Sequence, residues 1–462
     1  MKESDQARFK NLVAWACNHG AELHPYLEVY HDNVSKFSLR VKNSATEPLE
    51  PNFTAATCPV PITLSYLNAL IDCTIDISAS VYDRPAAFSP RFMSSIPPHV
   101  IGRFFLIKEY LKGKDSHWRP YITTLPQPEN TSSWALPAFW PEDDIDFLEG
   151  TNAYVAIQEI QENVKREFKQ ARKVLKDEAF QNWQDYTQML YKWAFCIFTS
   201  RSFRPSLILS QPAKEHVSML LPAGCELDDF SILQPLFDIA NHSMTAKYEW
   251  DVTSDQNCCR LVCGDAYRPG DQVYNNYGLK SNSELLLGYG FILPETEQLH
   301  NDYVHVRKKQ QQGDGASGDK PRDFLISLRP MSHPSSLVGR ARLFGSPSPI
   351  SSLSAFAHFE PALVEDLASA LASPDERRNI DKWQSGGEEG LPEELAELVQ
   401  RINEALAGKL QYDYQRLMEA GMGEDEAEES RLQPTNRNQE LAVEYRRQCE
   451  KVLLAAIKGL EM

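Results

Sequence analysis

The sequence contains no apolar run of the length a membrane span needs, and its start, Met1-Lys-Glu-Ser-Asp5, has no secretory-leader core. It contains no CxxC pair. Nine cysteines are scattered, and the three nearest neighbours, Cys258, Cys259 and Cys263, sit on strand-like sequence rather than on a metal knuckle. They read as buried free thiols, not as disulfides or metal ligands. Positive charge is in short supply: 47 Lys and Arg face 64 Asp and Glu, a net charge of −17. That balance argues against nucleic acid as a direct partner. It suits a surface that attracts lysine-rich protein, and a merely solvated acidic face accounts for it as well. No internal repeat is visible. What is present, 42% hydrophobic and 24% charged residues over 462 positions, describes a soluble cytosolic or nuclear protein of two or three domains, with no membrane attachment.

Periodicity predicts a helix over residues 8–19, with Phe9, Leu12, Val13 and Ala16 on one face and Gly20 as its stop. Strand-like sequence follows at Phe37–Val41 and Asn52–Pro61. From Leu64 the composition turns helical, with candidates at Leu64–Ile77 and Val100–Leu111. Thr151 is placed to cap a long helix carrying Tyr154, Ile157, Ile160, Val164 and Phe168 at spacings of three and four. A second stripe, Tyr186, Met189, Leu190, Trp193 and Ile197, leads into Ser200-Arg201-Ser202-Phe203. Downstream, Lys308–Arg322 and Gly345–Ser354 read as loops, and Gly423-Glu-Asp-Glu426 as a solvated acidic turn. Phe324–Leu328 reads as a strand. Helical, acidic segments are predicted at Glu360–Leu371, Pro392–Leu410 and Glu440–Leu460.

One stretch organises the rest. It opens with Gln234-Pro-Leu-Phe-Asp-Ile-Ala-Asn241-His242-Ser243, passes through strand-like Tyr248–Val252 and Arg260–Cys263, and turns at Tyr267-Arg-Pro-Gly270-Asp271. It closes with Gln272-Val-Tyr274-Asn-Asn-Tyr277-Gly278 and Ser281-Asn-Ser-Glu284-Leu-Leu-Leu-Gly-Tyr289-Gly290-Phe291. In order and separation these motifs resemble the SET-domain protein methyltransferases, in particular the class of the Rubisco large-subunit lysine methyltransferase. His117-Trp-Arg-Pro-Tyr121-Ile-Thr-Thr-Leu-Pro126, Phe139-Trp-Pro141 and Leu148-Glu-Gly-Thr151 extend the resemblance, which covers roughly residues 9–305.

The resemblance implies an α+β protein: a SET β-fold with a pseudoknot-like crossing, split by a large helical insert, and a mainly helical C-terminal domain. Its segments would be 1–63 (first part of the SET domain), 64–205 (the insert), 206–305 (the catalytic core) and 306–462 (a domain that holds the protein substrate). It implies S-adenosyl-L-methionine as cofactor and methyl transfer to a lysine of a non-histone protein, such as a ribosomal protein, by a monomer. No cysteine-rich zinc segment follows the core, unlike many histone-directed relatives.

Residue by residue, Tyr277 matches the tyrosine at the methyl-transfer channel, and otherwise packs under the Gly278 turn. Asn241 and His242 match the cofactor-binding pair; His242 alone reads equally as a core histidine. Arg201 matches an arginine that pairs with the cofactor carboxylate, for which a guanidinium fork is suited, or simply ends a helix. Phe291 matches an aromatic near the cofactor adenine. Tyr289 and Tyr248 match channel walls, and the carbonyls of Ser200, Asp238 and Ala240 match its methyl side. One departure stands out. Where the family has a glycine-rich turn against the cofactor, this chain reads Ser35-Lys36-Phe37-Ser38, and side chains there crowd a ligand that glycine would admit. That leaves a catalytically silent SET scaffold as the second reading, histidine rather than lysine as an alternative acceptor, and a purely helical interaction protein as the third.

Overall fold

The structure, a computed structural model, describes residues 3–32, 35–75, 84–253, 257–307, 322–343, 348–386, 390–421 and 433–461. Most of the Lys308–Arg322 loop, part of the Gly345–Ser354 loop and the Gly423–Glu426 turn lie outside them. By contact the chain forms two units, Met1–Trp134 with Gln161–Gly278, and Ala135–Ile160 with Leu279–Met462.

In the first unit the β-branched and small residues of Phe53–Pro59 and Cys258–Cys263 make the two inner strands of a four-stranded antiparallel sheet. Glu22–Leu23 and Tyr248–Thr253 form its edges. Register is set with Cys58 opposite Cys259, and a bulge falls between Thr54 and Ala56. A second sheet orders Gln272–Val273, Lys36–Val41 and Leu27–Asp32, all antiparallel. A third, of two-residue strands, joins Leu64–Ser65, Ile232–Leu233 and Ser202–Phe203. Strands are therefore drawn from both ends of the unit's sequence, with helices between.

Those helices follow the apolar stripes. Glu3–Asn18, Pro98–Lys112 and Gln188–Arg201 overlap three of the predicted helices, and Thr187 caps the last by accepting from the Leu190 amide at 3.3 Å. Leu64–Ile77 differs from expectation. Among its described residues only Tyr66–Ala69 is helical, because the Asn68 carboxamide accepts from the Ser65 amide at 2.8 Å and donates to the Cys73 carbonyl at 3.1 Å, closing a single turn. Two tryptophans tie loops to the helical layer. Trp118 Nε1 donates to the Ile62 and Thr63 carbonyls at 3.0 and 3.1 Å, and Trp193 Nε1 to Pro126 at 2.6 Å.

In the second unit, Ala396–Glu419 buries Leu398, Ile402, Leu406, Leu410 and Leu417, a stripe at helical spacing. It packs with Arg437–Leu460, which contributes Ala442, Tyr445, Val452 and Ala456 to the same core. The buried Asp144 carboxylate accepts from Asn436, Asn438 and Gln439, each at 2.8 Å, at the start of that last helix. A carboxylate there meets the positive end of the helix dipole. Tyr303–Arg307 and Asp323–Ser327 pair as a two-stranded antiparallel sheet.

Candidate active site

The candidate site in the first unit is built where two segments distant in sequence lie side by side. His242 and Asn275 form a parallel bridge. The Asn275 amide donates to the Asn241 carbonyl at 2.7 Å, and the Ser243 amide to the Asn275 carbonyl at 2.8 Å. Tyr277 follows, with its backbone amide donating to His242 Nδ1 at 3.0 Å. Because Nδ1 accepts, the neutral ring carries its proton on Nε2. The Tyr277 ring stacks on His242 at 5.0 Å between centroids and 19° between planes. Its hydroxyl donates to the Ala240 carbonyl at 2.9 Å. Gly278 has φ of +100°, a conformation glycine adopts without steric cost, and Asn276 closes the corner by donating to the Met244 and Ala246 carbonyls.

The approach to this corner is strained. Leu236 is fully buried with φ of +76°, which costs a non-glycine residue about 1–3 kcal/mol. It launches the short turn Phe237–Ile239. Within that turn the Asp238 side chain is 2% exposed and faces Arg201, the last residue of its helix. Arg201 Nη1 donates to the Asp238 carbonyl at 3.1 Å and to Oδ2 at 3.4 Å, while the Tyr121 hydroxyl donates to the same Oδ2 at 2.9 Å. Burial pushes the Asp238 carboxyl above its usual range, and the Arg201 charge and the Tyr121 hydroxyl pull it back. Ser200, one residue earlier, turns its hydroxyl back onto the Cys196 carbonyl at 2.8 Å.

The glycine-poor turn keeps a backbone that glycine would favour: at Lys36 φ is +72°. The flanking hydroxyls are engaged with the candidate site. Asn241 Nδ2 donates to Ser35 Oγ at 2.6 Å and to Gln272 Oε1 at 2.8 Å. Buried Ser38 donates to the same Gln272 oxygen at 3.0 Å. Gln272 Nε2 donates to the Tyr30 hydroxyl at 2.6 Å. Tyr248 stands on its edge strand opposite Cys263, and burial drives its phenol far above the ordinary range.

Tyr289 and Phe291 belong to the second unit. Tyr289 ends the helix Asn282–Tyr289, which Ser281 and Glu284 cap reciprocally. The next residue, Gly290, has φ of +74°, and a Cβ there would overlap the Ala135 carbonyl, so only glycine fits. The Tyr289 and Phe291 rings lie 6.3 Å apart, and Lys280 Nζ sits 5.9 Å from the Tyr289 ring centroid. The same unit holds a line of groups with the spacing of a hydrolase relay: Ser281 Oγ to His305 Nε2 at 2.8 Å, and His305 Nδ1 to Asp323 Oδ2 at 2.7 Å. Ser281 is fully buried and donates to Glu284 Oε2 at 3.0 Å, so it is a helix cap and not a nucleophile. A cavity of about 290 Å³ beside it is lined by Arg307, Lys409 and Arg416 against Glu284, Asp323 and Asp413, and so offers a ligand no single sign of charge.

Arg201 is thus bonded to Asp238, Tyr277 is bonded to Ala240 and stacked on His242, and Asn241 is paired with Asn275, all within one unit. Sequence reasoning passed over Tyr121, Ser35 and Gln272 as site-bracing groups. Tyr121 was visible only as part of a motif, and nothing in local periodicity ties Ser35 to Asn241. Among the described residues no cluster of His, Cys, Asp or Glu is arranged to hold a metal, and no helix is long and apolar enough to cross a membrane.

No protein-family model matches the chain. Among curated proteins it is 29% identical over 311 residues to the ribosomal lysine N-methyltransferase set10 of Schizosaccharomyces pombe, covering 65% of this chain and 50% of that one. It is 22% identical over 327 residues to the protein-lysine N-methyltransferase EFM1 of Saccharomyces cerevisiae, covering 62% and 50%. The chain spans about half the length of these curated relatives. Among solved structures, Rubisco LSMT bound to AdoMet superposes with a TM-score of 0.59 at 18% identity, covering 98% of this chain and 91% of that one. The chain therefore has the SET fold, and in sequence and fold alike it is similar to the SET-domain protein methyltransferases of the Rubisco large-subunit lysine methyltransferase class.

Proposed function

We propose that this chain is a protein-lysine N-methyltransferase that uses S-adenosyl-L-methionine and acts on a non-histone protein. One observation carries the proposal: the Tyr277 hydroxyl rests on the Ala240 carbonyl at 2.9 Å, beside Asn241 and His242, although 35 positions separate Tyr277 from His242. The set10 and EFM1 relatives, which match 311 and 327 residues, bear lysine N-methyltransferase names, whereas the human actin-histidine N-methyltransferase matches 184 residues at 27% identity, which supports lysine over histidine as acceptor. On this reading residues 64–205 are the insert of the catalytic domain and 306–462 the part that holds the protein substrate. The net charge of −17 suits a lysine-rich partner.

The residues present fit the cofactor. An arginine has five donors, and the Asp238 contacts named above use only Nη1 of Arg201, which leaves a fork for a carboxylate. Bound there, S-adenosyl-L-methionine would supply an activated methyl on a sulfonium, so the protein needs little acid–base machinery. Its own task is alignment and exclusion of water. Tyr277, fixed by its stack on His242 and its bond to Ala240, presents a hydroxyl that orients the incoming amine. Carbonyls of Asp238 and Ala240 supply oxygen acceptors that favour a polarised methyl. Tyr248 is the aromatic group of this unit assigned to the channel wall. An apolar and aromatic lining lowers the pKa of an entering lysine and favours the neutral, nucleophilic amine.

The test is calorimetric binding of the cofactor to wild type, Arg201→Ala and Asn241→Ala, with labelled-methyl transfer in a lysate comparing wild type with Tyr277→Phe. Binding that either alanine variant abolishes, with labelled bands that Tyr277→Phe loses, supports the enzyme. A folded protein that binds no cofactor is instead the silent scaffold suggested by side chains at Lys36 and Ser38.

A further inference from the structure

The carboxamide of Asn241 is committed on its nitrogen side. Its two N–H donors go to Ser35 Oγ at 2.6 Å and to Gln272 Oε1 at 2.8 Å. Each acceptor is itself held in place. Ser35 donates its hydroxyl to Asp32 Oδ2 at 2.7 Å, and the Ser35 amide donates to the same oxygen at 2.7 Å. Gln272 is braced by Ser38 and by the Tyr30 hydroxyl, at 3.0 and 2.6 Å. An amide whose two hydrogens are both bonded can offer a further group only its oxygen, an acceptor. Ser35 adjoins Lys36, which keeps a positive φ, and Ser38 donates to the same Gln272 oxygen that Asn241 uses, so residues of the glycine-poor turn brace a candidate binding residue.

We propose that Ser35 and Gln272 are positioning residues that lock Asn241 as an acceptor for the α-ammonium of S-adenosylmethionine. This rests on the methyltransferase reading above. An ammonium carries donors only, so it matches an oxygen with no competing N–H. The lock also excludes the flipped amide, in which Nδ2 would face that cation. The cofactor's carboxylate end is served separately by Arg201, so loss of the lock weakens binding without removing the methyl-transfer groups around Tyr277.

The test is calorimetric binding of S-adenosylhomocysteine, which keeps the same ammonium and carboxylate, to wild type, Ser35→Ala, Ser35→Thr and Gln272→Leu, with KM and kcat for S-adenosylmethionine alongside. Loss of one orienting hydrogen bond predicts about a five- to tenfold weaker Kd for Ser35→Ala. The Ser35→Thr variant, which keeps the hydroxyl, should return to within about twofold of wild type. The same ratio should appear in KM while kcat stays within about twofold, a split that general loosening of the fold would not give. If wild type binds and both Ser35→Ala and Gln272→Leu bind equally well, or if threonine fails to restore the loss, the positioning role is wrong while the methyltransferase reading stands. If wild type itself does not bind, that reading fails and this one with it.

Discussion

Tyr121 lies more than a hundred residues from the Asn-His pair, yet its removal should be felt at the site. Its hydroxyl is one of two side-chain donors to Asp238 Oδ2, at 2.9 Å; the other, Arg201 Nη1, is long at 3.4 Å. The Asp238 side chain is only 2% exposed, so water cannot replace the lost donor. A hydrogen bond to a charged group contributes about 1.5–3 kcal/mol, and the long Arg201 contact offers little compensation. Tyr121→Phe is therefore expected to cost about 2 kcal/mol, lowering the melting temperature by about 4–8 °C in a unit of this size. It also removes one of the influences that hold the Asp238 carboxyl down, so that group should titrate higher still. With Asp238 less firmly charged, Arg201 loses its brace, and affinity for S-adenosylhomocysteine should fall about fivefold. Scanning calorimetry and titration calorimetry measure the two effects. In an Asp238→Asn background the cost of Tyr121→Phe should shrink, because no buried charge is left to satisfy. A melting shift below about 1 °C with unchanged affinity would refute the coupling.

Tyr277→Phe keeps the stack on His242 and loses only the hydroxyl on Ala240. It should lower kcat by about 10²-fold while leaving cofactor affinity nearly intact, as single-turnover methylation would show. At Lys36, whose φ is +72°, valine should destabilise by about 1–3 kcal/mol and glycine should be tolerated, a contrast readable by thermal melting. Burial pushes the Asp302 carboxyl up from 3.8 to about 6, against the opposing pull of the Asn282 carboxamide. The folded second unit thus holds this proton more tightly than the unfolded chain does. Stability from this group is fully present below about pH 3.8 and is lost as pH rises through 6, by up to about 3 kcal/mol. Asp302→Asn should remove that decline from urea midpoints taken between pH 4 and 7.

Sequence periodicity recovers elements whose packing follows their own stripe. The Pro98–Lys112 and Gln188–Arg201 helices and the Phe53–Pro59 strand all appear near their predicted positions. It fails where a side chain overrides composition, as Asn68 does in closing one turn within an apolar segment. It also fails where a strand or helix carries mixed residues, as in Leu27–Asp32 and Gln211–Leu220. Asn241, His242 and Tyr277 were legible because their motifs are dense and ordered. Tyr121, Ser35 and Gln272 were not, because each acts through a partner on a different segment, and only the folded backbone brings those segments together. The glycine-poor turn is the instructive case: residue types show where glycine is missing, but only the folded backbone shows that Lys36 keeps a glycine-like φ and that the Ser38 hydroxyl donates to Gln272.

The pairing of Asn241–Ser243 with Asn275 also fixes when the site can come into being. During synthesis, a chain that has not yet released Asn275 from the ribosome presents the Asn-His dipeptide without the amide that caps the Asn241 carbonyl, and without the ring that covers His242. Products that terminate before that point lack this pairing and this stack however well their earlier segments have folded.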